Sequence, residues 1–92
     1  MNFLPIGSVV KLTNLEKPVM IFGYLQETAL APGKVADYVG VPYPEGNISL
    51  QYQIPFMVED IAEVLFEGYR TEETRAMELI FFANKLPDEE TA

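Results

Sequence analysis

The acidic side chains Glu59, Asp60 and Glu63 form the densest group of residues that could bind a metal ion or transfer protons. A calcium loop needs several oxygen ligands at set spacing and a turn-forming glycine, and this segment has neither. Two carboxylates could also act as acid and base in the hydrolysis of a glycoside, but nothing marks a pair for that role. We expect a solvated surface or a helix cap here, and a small carboxylate-dependent hydrolase remains a remote alternative.

Other catalytic chemistry is limited by residue types that the sequence lacks. The 92 residues include no cysteine and no histidine. A thiol nucleophile, an imidazole base and the usual zinc ligands are therefore excluded. We expect no enzymatic activity, no cofactor and no bound metal ion.

The charge balance narrows the classes of partner. Fourteen acidic and six basic residues give a formal net charge of −8. Such a charge repels phosphate backbones and anionic membranes, whereas a basic or apolar protein partner is allowed. The N-terminus has no basic region followed by a long apolar run, so no cleavable secretion signal is indicated. We expect a cytoplasmic protein that leaves the cell, if at all, together with its partner.

The pattern of apolar residues predicts a strand-rich front and a helical end. Strands are predicted at 8–13, 19–25, 35–41 and 48–54, the last from strict alternation of apolar and polar residues. The run at 19–25 is apolar on both faces, which is typical of a central strand. Connections are predicted at 14–17, at 26–34 around the turn pair Pro32-Gly33, and at 43–47.

The segment 56–67 is compatible with a short amphipathic helix or with a turn followed by a fifth strand, and we favour the second because it would cover a sheet edge. Thr71 is a good N-cap for a helix that we expect to end at Pro87, before an acidic tail over 87–92. The prediction is an α+β fold in one domain, 1–92, with an ordered core of about 4–86. It consists of a small antiparallel sheet, or a partly closed barrel, of four to five strands with one C-terminal helix packed against it.

Aromatic residues are the candidate contact residues for a partner. Tyr38, Tyr43 and Tyr69 lie on or beside predicted strands, and tyrosine is enriched at protein interfaces. Phe81 and Phe82 are adjacent on the predicted helix, about 100° apart, so they cannot both face one core squarely. Either both are buried in a small core, or one of them contributes to an apolar surface patch.

Four motifs in order, LPIGSVVKL, VMIFGYLQ, DYVGVPYPEGN and F-x-x-x-DI-x-x-VLFEGY-x-TEE, resemble a family of small Gram-positive bacterial proteins. These proteins carry a domain-of-unknown-function label and are encoded beside LXG toxins in type VII (ESX/Yuk-like) secretion loci. The resemblance covers about residues 4–86.

The resemblance implies a chaperone-like targeting factor. Its partner would be the helical N-terminal region of an LXG toxin, bound together with a small WXG100-like helical protein. The competing hypothesis is an immunity protein that neutralises a toxin domain, for which an acidic surface is also suitable. The matching motifs nominate Asp37, Tyr38, Tyr43, Pro44, Glu45, Gly46, Phe66, Gly68 and Tyr69, and the candidate partner-binding residues are Tyr38, Tyr43, Glu45, Tyr69 and Phe82.

Overall fold

The computed structural model describes residues 3–28 and 31–91, with side chains as far as Asn84. Five strands form one antiparallel sheet in the order β4-β3-β2-β1-β5, and a single α-helix follows. The elements are β1 (Val9–Leu12), β2 (Leu15–Thr28), β3 (Ala31–Pro42), β4 (Ile54–Phe56), β5 (Ile61–Phe66) and α1 (Glu72–Thr91). The predicted α+β fold is confirmed, and the sheet is open because β4 and β5 lie at opposite edges.

Strand β2 occupies the centre of the sheet, as its two apolar faces predict. It pairs with β1 on one side and with β3 on the other. Leu12 lies opposite Leu15, so only Thr13 and Asn14 connect β1 to β2. The predicted connection at 14–17 is therefore too long, since a two-residue turn is sufficient for an antiparallel hairpin.

The predicted loop at 26–34 is wrong, because β2 extends to Thr28 and β3 begins at Ala31. Gln26 pairs with Ala36 and Thr28 pairs with Ala31, which places residues 32–35 of β3 opposite residue 27 alone. The turn pair Pro32-Gly33 thus lies inside a large bulge. Gly33 has a φ of +81°, which glycine adopts without strain. The bulge accommodates the turn residues without ending the strand pairing.

The predicted strand at 48–54 is also wrong. Residues Leu50–Tyr52 form a 3-10 turn, and only Ile54–Phe56 pairs with β3. The reason lies in the backbone: the N–H groups of Tyr52 and Gln53 donate to carbonyls of Ser49 and Leu50, at 3.1 and 3.2 Å. Local hydrogen bonds leave this segment without a strand partner. Its apolar side chains consequently remain exposed, including Ile48 and Leu50.

The segment 56–67 forms a turn followed by a strand, which confirms the favoured alternative. A 3-10 turn covers Val58–Asp60, and the Asp60 carboxylate accepts a hydrogen bond from the Met57 N–H at 3.0 Å. Strand β5 then pairs with β1. The fifth strand thereby covers the edge that β1 would otherwise expose.

Helix α1 begins at the predicted cap. The Thr74 N–H donates to Thr71 Oγ1 at 3.2 Å, and the Thr71 N–H donates to Thr74 Oγ1 at 2.9 Å. The expected end at Pro87 is wrong, because the helix continues to Thr91. A proline inside a helix removes one N–H hydrogen bond and crowds the carbonyl four residues earlier, which disfavours a helix across Pro87 without forbidding it. The side chains of the predicted acidic tail, Asp88 to Glu90, lie outside the described part.

Helix α1 packs on the sheet through a cluster of aromatic rings. Phe81 is fully buried, and its ring centroid lies 5.0 Å from that of Phe3 and 5.3 Å from that of Tyr38. Tyr38 in turn stacks on Phe56 of β4 at 5.5 Å. The core therefore lies on one face of the sheet, between β1–β4 and the helix. The aliphatic residues that complete it are Leu4, Val10, Leu12, Val19, Ile21 and Val58.

Candidate functional site: an apolar groove on the sheet

The face of the sheet opposite α1 carries a second set of apolar side chains. Successive side chains of a strand point to opposite faces, so Val9 and Met20 point away from the core that holds Val10 and Val19. Val9 pairs with Met20 on one side and with Phe66 on the other. These three side chains therefore lie side by side on the second face. Toward β3 this face is closed, since Val39 and Val41 are buried.

These side chains line a cavity of about 560 Å³ that opens to solvent, which we call the outer groove. Its walls are almost entirely apolar and come from the N-terminal bend, β1, β2, the turn after β3, and β5. The lining residues are Gly7, Val9, Pro18, Met20, Tyr43, Leu65 and Phe66. Phe66 is 62% exposed and Tyr43 is 48% exposed, so both rings are accessible to a ligand.

The chain around Ser8 fixes one end of the outer groove. Ser8 is fully buried, and its Oγ accepts a hydrogen bond from the Gly68 N–H at 2.9 Å. A Cβ at position 68 would lie 2.3 Å from the Ile6 carbonyl oxygen, so only glycine permits this approach. The Gly7 N–H donates to the Ile21 carbonyl at 2.9 Å. The N-terminal segment, β2 and the exit of β5 are thereby held together.

Arg70 connects the exit of β5 to the N-terminal segment. Its guanidinium donates to the Phe3 carbonyl at 2.7 Å and also pairs with the Glu67 carboxylate. Two tyrosine hydroxyls hold the same segment from inside: Tyr24 donates to the Leu4 carbonyl at 2.9 Å, and Tyr38 accepts from the Leu4 N–H at 3.2 Å. These contacts hold the N-terminal segment against the core.

The rim of the outer groove near Tyr43 carries an ion pair. Lys17 Nζ lies 2.8 Å from the Glu45 carboxylate, and both side chains are exposed. The hydrogen bond from Lys17 lowers the pKa of Glu45 below its ordinary value. The Tyr43 N–H donates to the Pro18 carbonyl at 3.0 Å, which joins this turn to β2. Tyr43 is therefore positioned by the backbone rather than by the ion pair.

Comparison with known protein families assigns the chain to one of them. Residues 3–77 match a family described as Domain of unknown function (DUF4176). The chain belongs to this family. The match extends through all five strands and into the first turns of α1, so it includes every residue that lines the outer groove. No curated protein and no solved structure matches the chain significantly.

In this DUF4176 chain, the predicted contact residues do not form a single site. Tyr43 lies in the outer groove, and Glu45 lies at its rim. Tyr69 is 85% exposed but lies outside the groove lining, and Phe82 is partly buried against the core. Tyr38 must be corrected from a candidate contact to a core residue, because it has no exposed surface and packs between β2 and β4.

Among the other motif residues, Phe66 is exposed. Strand β5 lies at the sheet edge, and Phe66 pairs with Val9 on the outer face. Asp37 is buried and accepts a hydrogen bond from the Val58 N–H at 2.9 Å. Pro44 and Gly46 shape the turn after β3: the Tyr43–Pro44 peptide bond is cis, and Gly46 has a φ of +85°.

Five residues of the groove lining were not among the sequence-based candidates: Gly7, Val9, Pro18, Met20 and Leu65. The sequence of β2 did indicate a second apolar surface, because residues 19–25 are apolar on both faces of the strand. One of those faces packs against α1, and the other becomes the wall of the outer groove. The sequence alone does not show which face the helix covers.

The acidic cluster is dispersed by the fold. Asp60 caps the 3-10 turn, and Glu63 lies on β5 opposite Lys11 of β1. Among the residues that the structure describes, no three carboxylates are close enough to share a metal ion. Within the same residues, no helix combines the length and apolar character needed to cross a membrane.

The titration of two buried tyrosines reflects how closely the core is packed. Burial, reinforced by the neighbouring Tyr38, raises the pKa of Tyr24 to about 12. Burial also raises the pKa of Tyr38. Desolvation disfavours the phenolate, so both hydroxyls remain protonated donors and acceptors at neutral pH.

Proposed function

We propose that this chain is a non-catalytic accessory factor, acting like a chaperone, that binds the helical N-terminal region of an LXG-type toxin for type VII secretion. The observation that supports it best is the outer groove. It is open, apolar and flanked by the exposed rings of Tyr43 and Phe66. Membership of the DUF4176 family and the four motifs that resemble proteins encoded beside LXG toxins support the choice of partner.

A helix is a suitable occupant for a groove of this kind. An amphipathic helix binds such a groove by placing side chains at i, i+3 or i+4, and i+7 into it. Val9, Met20 and Phe66 lie side by side across β2, β1 and β5, which gives a continuous apolar floor. One apolar stripe of a toxin helix would cover this floor. A small WXG100-like protein would then bind the toxin rather than the groove.

The negative charge of the chain supports a partner helix that has basic residues next to its apolar stripe. The formal net charge is −8, and opposite charges on the two proteins would speed their association and exclude acidic competitors. We infer that the complex forms in the cytoplasm before export.

The proposal is tested by co-expressing the chain with the N-terminal region of an LXG toxin, followed by size-exclusion chromatography. Co-elution at micromolar concentration is expected, and separate elution would contradict the proposal. The groove variant Phe66→Glu should abolish co-elution. The matched control Leu79→Glu places the same charge on the exposed face of α1, where Leu79 is 66% exposed, and should leave co-elution unchanged.

The same co-elution experiment distinguishes the immunity hypothesis from the accessory role. Binding to the C-terminal effector domain instead of the N-terminal region would favour an immunity protein, whose acidic surface would mask a basic active site. Inhibition of the effector's activity in that arrangement would confirm the alternative and overturn the accessory role.

A further inference from the structure

The two edges of the sheet differ in a way that bears on binding. An edge strand exposes backbone N–H and C=O groups, and proteins protect such edges with short strands, prolines, charged side chains or bulges. Strand β4 has three residues including Pro55, and Phe56 is buried, so this edge is protected. Strand β5 has six residues, IAEVLF, with no proline and no lysine. The edge at β5 lacks the protection that β4 has.

The β5 edge is also uncovered. Residues 62–66 are all exposed, and Val64, Leu65 and Phe66 are 46%, 46% and 62% exposed. Val64 pairs with Val10, which points to the core face, and Phe66 pairs with Val9, which points to the outer face, so β5 carries exposed apolar residues on both faces. Its pairing with β1 contains two bulges, which leave Ala62 and Leu65 without an opposite residue. Within the described residues, β1 is the only strand that pairs with β5.

Charge identifies the chemistry of an occupant. The segment 59–70 contains four acidic residues, Glu59, Asp60, Glu63 and Glu67, and one basic residue, Arg70, which pairs with Glu67. We propose that the β5 edge binds an extended segment of a partner protein, in which apolar residues alternate with lysine or arginine, by addition of a strand to the sheet. Backbone hydrogen bonds would supply affinity, and the acidic residues would select a basic sequence.

A second copy of this chain is a poor occupant. Antiparallel pairing of two β5 strands would bring the acidic residues of segment 59–67 of one copy close to those of the other, and that segment has no basic residue to offset them. Each copy also carries a formal net charge of −8. The proposed strand site is distinct from the outer groove, because it uses the backbone edge and shares only Leu65 and Phe66 with the groove lining.

Fluorescence anisotropy with a labelled peptide of alternating valine and lysine tests the proposal. Binding is expected, with new protection of the 61–66 amides in hydrogen exchange. A matched peptide that is N-methylated at two neighbouring residues in each half keeps the side chains but loses backbone donors on both of its edges. It should bind at least about tenfold more weakly. Equal binding of the two peptides would overturn strand addition, because attraction between side chains alone would then account for the affinity.

Two protein variants locate the site. Ala62→Lys adds a positive charge on β5, and Ala83→Lys adds the same charge on α1; both alanines are exposed. Ala62→Lys should weaken binding of the valine–lysine peptide by about tenfold or more, and Ala83→Lys should not. Equal effects of the two variants would overturn the assignment to β5. A dimer in sedimentation experiments that Ala62→Lys converts to monomer would overturn it too, in favour of self-association.

Discussion

Phe81 is the side chain that attaches α1 most firmly to the sheet, and its truncation gives the strongest test of the packing described above. The ring is fully buried and lies 5.0 Å from Phe3 and 5.3 Å from Tyr38, measured between centroids. Replacing a buried phenylalanine by alanine costs about 3–5 kcal/mol. Each aromatic pair adds about 0.5–1.5 kcal/mol beyond the buried area, so the upper half of that range is expected for Phe81→Ala.

This loss is large relative to the stability of a small protein. Domains of this size unfold with a free energy of about 5–15 kcal/mol. For a 60–100-residue domain, 1 kcal/mol changes the melting temperature by about 4–8 °C, so a loss of about 4–5 kcal/mol lowers it by about 16–40 °C. Urea denaturation followed by far-ultraviolet circular dichroism measures the free energy of unfolding, and a thermal scan measures the melting temperature.

The neighbouring residue supplies the control. Ile80 is 52% exposed and lies about 100° round the helix from Phe81, and Ile80→Ala should change the free energy of unfolding by no more than about 0.5 kcal/mol. If Phe81→Ala costs less than about 1 kcal/mol, the ring does not anchor α1 as described. Equal losses in the two variants would contradict the orientation of the helix on the sheet.

Three further predictions concern single positions. Because burial raises the pKa of Tyr24 to about 12, the folded state retains a proton that the unfolded state releases above pH 10, and stability falls as the pH rises from 10 to 12. Partial exposure limits this loss to about 1 kcal/mol at pH 11, and urea denaturation at pH 8 and 11 should show that Tyr24→Phe removes it. Gly68→Ala should lower the free energy of unfolding by about 1–3 kcal/mol, because the added Cβ would meet the Ile6 carbonyl. The control Gly23→Ala should cost less, because its Cβ would meet only a flexible glutamine side chain, and equal losses would contradict the close approach at Gly68. Thr71→Ala should cost about 1 kcal/mol in the same assay and Thr71→Ser much less, and equal losses would contradict the cap.

The parts of the fold that the sequence predicts are those where one local pattern decides. The run at 19–25 is apolar on both faces, and a central position in the sheet is what such a run requires. Thr71 followed by two glutamates is a local signal for a helix start, and α1 begins there. The turn and strand over 58–66 follow in the same way, because Asp60 caps the turn locally and the exposed edge of β1 provides the partner.

The parts that the sequence does not predict depend on pairing between distant segments. Alternation at 48–54 favours a strand, yet a strand also needs a partner, and the hydrogen bonds of this segment are satisfied locally. The turn pair Pro32-Gly33 is absorbed by a bulge because β2 is long enough to continue beside it. Tyr38 and Tyr43 look alike in sequence, and only the register of β3 places Tyr38 between Tyr24 and Phe56.

The outer groove and the β5 edge meet at Leu65 and Phe66, which allows one partner to use both. A helix in the groove would end beside β5, where the chain that follows it could continue as an added strand. Phe66→Glu should then weaken both contacts, Ala62→Lys only the strand, and Met20→Lys only the helix. If two separate partners were involved, loss of the helix contact would leave the affinity of the strand segment unchanged. If a single partner spans both sites, its overall affinity should greatly exceed that of either contact alone, because binding at one site raises the effective concentration at the other. Removal of either contact should abolish this gain.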